Sequence, residues 1–114
     1  MQNDELIARL QAATANDKRL FEDVWEHLCQ TSLEFRRFAC TTTDSDGWTQ
    51  TGRFIRMLDA GAYESAALTL VPSTMNATID TRKPAAATLG GEWVYAATPA
   101  LALCIAALKA RSHD

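Results

Sequence analysis

Apolar and polar positions alternate along this chain with two different periods, and the changes of period divide it. Residues 3–14 carry Leu6, Ile7 and Leu10 on a narrow stripe. Asn3 is placed to cap a helix, and Asp4 and Glu5 fall in its first turn, where the helix dipole favours acids. Residues 18–30 repeat the helical period more strongly. Leu20, Phe21, Val24, Trp25 and Leu28 fall at i, i+1, i+4, i+5 and i+8, and Glu22, Asp23, Glu26 and His27 take the remaining sides. From residue 33 the period shortens. Residues 35–43 are rich in aromatic and β-branched types, with Phe38, Cys40 and Thr42 alternating against Arg37, Ala39 and Thr41. Asp44, Ser45, Asp46 and Gly47 spell a hairpin turn, and residues 48–58 are the expected return strand, with Gly52 as a bulge.

Helical spacing returns at residues 59–71, where Tyr63, Ala66, Ala67 and Leu70 share a face and Pro72 ends the run. Residues 75–81 alternate as a strand with one wet face, and Ala85, Ala87 and Leu89 alternate again. Gly90 and Gly91 then predict a tight hairpin into residues 92–96. Thr98-Pro99 starts a last helix, with a hydroxyl at the cap and proline at the first helical position. Leu101, Leu103, Cys104, Ile105 and Leu108 surround its axis, so this helix must be covered on several sides. Read in order, the elements are ααββαβββα. They predict an α+β fold: a mostly antiparallel sheet of about five strands with helices packed on it, similar to an α-β-α sandwich.

The length of 114 residues suits one domain, in which residues 1–32 form a helical N-terminal part packed on an α+β unit at 33–114. A chain of this size buries enough surface to fold without a staple of disulfides or metal. Three cysteines, Cys29, Cys40 and Cys104, stand at spacings that fit neither a disulfide framework nor a zinc site. The odd count and the acidic, amphipathic N-terminus point to a reducing cytosol and away from a secretory leader. The apolar run at 99–108 is about half a bilayer crossing, so no membrane partner is expected.

Two tracts carry a resemblance. Ala66-Ala67-Leu68-Thr69-Leu70-Val71-Pro72 follows a tryptophan-containing segment, and Ala97-Thr98-Pro99-Ala100-Leu101-Ala102-Leu103-Cys104 runs on to Arg111. With the alternating segments between them, they resemble the phage ABA sandwich domain family, small proteins of phages and prophages. The resemblance covers roughly the last two thirds of the chain. It implies an α-β-α sandwich and a phage or prophage origin, and assigns no activity to named residues. Ser65 stands where members of that family tend to carry an aspartate, so any role of that carboxylate is absent here.

Candidate chemistry is sparse. Asp23 and His27 lie one helical turn apart and could share a metal only with a third ligand from elsewhere, so a solvated helix face is the better account. Asp44, Asp46 and Gly47 resemble the start of a calcium loop, but position twelve is Ile55, where a bidentate glutamate is needed. The serines lack a nucleophile-elbow setting, and no glycine-rich loop opens a helix to cradle phosphate. No catalytic residue, cofactor or metal is therefore assigned. Arg37, Trp48, Arg53 and Arg56 form the expected partner-binding surface, a basic and aromatic face on the first hairpin, since arginine and tryptophan dominate binding hot spots. The expectation is a non-enzymatic accessory protein acting in the host cytosol by docking on a host or phage protein. Within the phage setting that the resemblance implies, inhibition of host defence (the anti-CRISPR kind) is the favoured role. The alternatives are nucleic-acid binding through the same face and a minor virion role. A net charge of −3 argues against nucleic acid as the main partner. The amphipathic helix at 18–30 and the alanine-rich sheet edge would permit a dimer without demanding one.

Overall fold

The computed structural model describes residues 3–41, 47–82 and 84–111. Its elements run α1 (Asn3–Ala12), α2 (Lys18–Thr31), α3 (Leu33–Ala39), α4 (Gln50–Asp59), α5 (Tyr63–Leu68), β1 (Thr78–Asp80), β2 (Ala85–Thr88), β3 (Val94–Ala96) and α6 (Pro99–Arg111). α6 is the centre. Every residue from Ala100 to Leu108 is buried, and α1, α2, α5 and all three strands pack against it. Thr98 secures its start. The Oγ1 accepts from the Leu101 backbone N–H at 3.1 Å and donates to Asn16 Oδ1 at 2.6 Å, which ties the connector before α2 to the cap of α6. Its alanines let the small face of β2, Ala85 and Ala87, come close.

The sheet is antiparallel in the order β1-β2-β3. Ile79 pairs with Ala87 and Ala87 with Val94, so one face is apolar and turned to α6; Thr78, Asp80, Ala86 and Tyr95 stand on the other. Ala86 is buried although no helix need cover it, because Asp80 and Tyr95 flank it as its cross-strand partners. Trp93 and Tyr95 remain exposed on this open face.

The expected sheet of about five strands is overturned. Among the described residues the fold is helix-rich, with six helices and a three-stranded sheet. α6 packs on all three strands and α1 on β3. The error lies in the first hairpin, whose two strands at 35–43 and 48–58 are replaced by α3 and α4. Hydroxyl caps account for the outcome. Ser32 closes α2, its N–H donating to Leu28 O at 2.9 Å, and opens α3, its Oγ accepting from Phe35 N–H at 3.2 Å. Thr49 Oγ1 accepts from Gly52 N–H at 3.0 Å and opens α4. The apolar residues of both segments also satisfy the helical period: Phe35, Phe38 and Ala39 in α3, Phe54 and Leu58 in α4. Tertiary packing then overrides strand propensity. Trp25 stacks on Phe54 with ring centroids 4.3 Å apart and meets Phe35 edge-on at 4.8 Å. Its Nε1–H donates to Thr51 Oγ1 at 3.0 Å, and Thr51 in turn donates to Ala39 O at 3.0 Å, so one chain of hydrogen bonds joins α2, α4 and α3. Of the turn expected at 44–47, only Gly47 lies within the described residues.

The helix expected at 59–71 is shorter than its apolar spacing suggests. Gly61 has φ of +76° and ends α4 in a left-handed turn: Gly61 N–H donates to Leu58 O at 3.0 Å and Ala62 N–H to Met57 O at 2.8 Å. α5 must start again at Tyr63. At the other end of the core, Arg111 is buried; its Nε–H donates to Leu70 O at 2.7 Å and its guanidinium lies 4.8 Å over Phe35. This contact locks the end of α6 to α3 and to the segment after α5. The hairpin from β2 to β3 is where the sequence places it, but its connection spans residues 89–93, with Gly90 at φ +97° and Thr88 Oγ1 bonded to both N–H and C=O of Gly91.

Candidate functional site

Three of the four residues expected to form a partner surface come together, on a helix instead of a hairpin. α4 turns Phe54 and Leu58 into the core, which leaves Gly52, Arg53 and Arg56 on its outer side. Arg53 and Arg56 are three residues apart and share a face. Trp48 precedes the cap residue Thr49 and folds back along the helix. Its Cε3 lies where a side chain at Gly52 would stand, 2.8 Å from an ideal Cβ there. The Arg56 guanidinium covers the ring at 4.7 Å from its centroid. The indole is thus held between a bare stretch of helix and a cation, and remains 44% exposed. A partly exposed tryptophan with a fixed pose loses little conformational freedom when a partner covers it.

Beside it, Arg53, Arg56, Met57, Ala60 and Ala62 line a groove of about 300 Å³ whose floor is apolar and whose rim carries the two guanidiniums. Among the described residues no carboxylate pairs with Arg53 or Arg56. The nearest acid in sequence, Asp59, pairs with Lys18 instead. Arg56 gains from lying in the last turn of α4, where the dipole favours a cation. Arg53 has no such account, and two like charges one turn apart destabilise a helix slightly. Arg37 is exposed on α3, a different helix from the one that carries Arg53 and Arg56.

Sequence reasoning missed the floor of the groove and the part played by Gly52. The signal for the second was present, since a glycine four residues before an arginine inside a helix leaves bare backbone for an aromatic ring to cover. Gly52→Ala tests this. Alanine gains up to about 1 kcal/mol in helix propensity, yet its methyl group displaces Trp48. The expected result is a melting temperature that holds or rises while the Trp48 indole N–H resonance shifts. An unmoved resonance would show that the ring does not rest on Gly52.

The other candidates carry less. Asp23 bonds to Arg9 at 3.2 Å and lies 3.7 Å from Arg19, which leaves its carboxylate committed. His27 is buried, not solvated as its place on the polar side of α2 suggested. No group of three metal-ligating side chains occurs among the described residues. Asp44 and Asp46 lie outside them. Burial pushes the Cys104 thiol well up, and burial followed by the neighbouring Cys40 raises that of Cys29, so neither is poised as a thiolate. No helix among the described residues is long and apolar enough to cross a membrane. Comparison with protein-family models, with curated proteins and with solved structures finds no match for this chain.

Proposed function

We propose that this chain is a non-enzymatic binding protein that docks on an acidic surface of another protein through Trp48, Arg53 and Arg56. The observation that carries the reading is the pose of Trp48, held on Gly52 and under Arg56 beside a groove lined by two arginines that pair with no carboxylate among the described residues. A fixed, partly exposed indole with arginine neighbours is the composition of an interface hot spot. The raised thiols of Cys29 and Cys104 support a non-catalytic role. The tracts at 66–72 and 97–111 support a phage or prophage setting, in which the partner is a host or phage protein and interference with host defence is the role.

The test is affinity capture from a bacterial lysate, with and without nuclease, comparing the native chain with the variant Trp48→Ala/Arg53→Ala/Arg56→Ala. The expected result is a protein captured in both conditions by the native chain and lost with the variant. Capture that nuclease abolishes would transfer the site to nucleic acid, and capture unaffected by the three changes would remove it.

A further inference from the structure

The two arginines on α4 carry information about the shape of the partner as well as its charge. Resting on the docking reading above, we propose that the segment seated on this patch is an acidic amphipathic helix, lying along α4 with an apolar side chain in the groove floored by Met57, Ala60 and Ala62. Charge complementarity sets the first requirement. Arg53 and Arg56 are exposed, and among the described residues no carboxylate pairs with either, so the occupant brings carboxylates of its own.

Backbone chemistry sets the second. An extended peptide binds well where a free sheet edge can pair with its N–H and C=O groups. α4 packs on α2, α3 and α5, all helices, whose backbone groups are already bonded along their own ladders. An extended chain laid here would have its inward backbone groups covered without partners, which is unfavourable. A helix arrives with those groups satisfied. It also presents side chains three and four residues apart on one face, and this is the spacing of Arg53 and Arg56. The apolar floor supplies the third requirement. A polyanion would leave Met57, Ala60 and Ala62 without a counterpart, and Trp48, the aromatic ring of this patch, already carries Arg56 on its face. Stacking of successive bases needs a series of open rings. At about 300 Å³ the groove is at the bottom of the range for small-molecule sites and is open to solvent, which suits one side chain of a longer segment.

The probe is a synthetic peptide of roughly 16–18 residues, long enough to hold a helix alone, built from alanine with leucine flanked by glutamates three and four residues away. Two controls differ from it only by substitution, one with proline at the centre and one with glutamine in place of glutamate. A single-stranded oligothymidylate is the fourth probe. Binding is read by NMR of the full chain. The expected result is a shift of the Trp48 indole and of the Arg53 to Met57 amides with the helical peptide, and affinity at least tenfold weaker for both controls. Equal binding of the proline peptide would overturn the helix, leaving an acidic coil. Tighter binding of the oligonucleotide, confined to the same resonances, would overturn the protein partner. If no peptide binds while lysate capture still depends on Trp48, Arg53 and Arg56, the helical occupant is refuted and the docking site stands. If capture is also indifferent to those residues, both are refuted.

Discussion

Phe54→Ala is expected to remove about 3–5 kcal/mol of folding stability, the upper range for truncating a buried aromatic. Native domains have roughly 5–15 kcal/mol in total, so the variant should sit near the edge of folding. Phe54 is fully buried on the inner side of α4 and stacks on Trp25 at 4.3 Å. Trp25 in turn holds Phe35 and, through Thr51, the end of α3. The loss is therefore larger than one ring's transfer out of water. The cavity opens where α2, α3 and α4 meet, and none of the three can close it without giving up the contacts of the other two. Unfolding in urea, followed by far-ultraviolet circular dichroism, measures the effect, and a melting temperature lower by on the order of 10–20 °C should accompany it. A loss under about 1 kcal/mol would mean that α4 does not rest on Trp25. The same residue on the expected return strand would belong to a hairpin face, with no such junction to support.

That contrast shows where the chain can be read and where it cannot. α6 was legible because its apolar residues leave no polar side, and only a central helix accommodates that pattern. β2, β3 and the turn between them were legible because Gly90 and alternation over Val94 to Ala96 agree with each other. Residues 33–58 were not, because two codes overlap there. Phe35, Phe38 and Phe54 favour strands by type and helices by spacing. The deciding contacts are the caps at Ser32 and Thr49, which the sequence reading places at the end of the helical N-terminal part and in a strand, and the pairing with Trp25, which is distant in sequence. Gly61, with φ of +76°, interrupts the run that apolar spacing alone reads as one helix. For the proposed site the scaffold differs from the expected one, but three of the named residues still lie near one another. On a strand Arg53 and Arg56 would point to opposite faces. On α4 they share one, and Trp48 joins them through Gly52, so the helix makes the surface tighter than the hairpin would have. Arg37 stands apart in the fold, on α3 and not on α4.

Reversing both charges, Arg53→Glu with Arg56→Glu, should weaken partner binding by on the order of 100-fold or more. Truncating one member of a desolvated, hydrogen-bonded ion pair costs about 2–5 kcal/mol, and each 1.4 kcal/mol is a factor of ten. Reversal adds repulsion between the new glutamates and the partner's carboxylates, so the estimate is a lower one. The fold should tolerate the change. Both side chains are exposed and no ion pair within the described chain is lost. What is lost is the contact between Arg56 and Trp48, worth about 0.5–1 kcal/mol at an exposed site. The acid at position 56, in the last turn of α4, also opposes its dipole by a few tenths of a kcal/mol. Stability should therefore fall by no more than about 2 kcal/mol, which separates a damaged surface from a damaged core. Binding to the protein captured from lysate, measured by calorimetry at low and at moderate salt, reads the effect. Screening should weaken the native interaction modestly and leave the charge-reversed variant poor at both salts. A steep loss over the same range in the native chain is the mark of phosphate contacts and would favour nucleic acid. Retention of native affinity by the reversed variant would show that Trp48 and the groove are a packing feature of α4, and that the partner docks elsewhere.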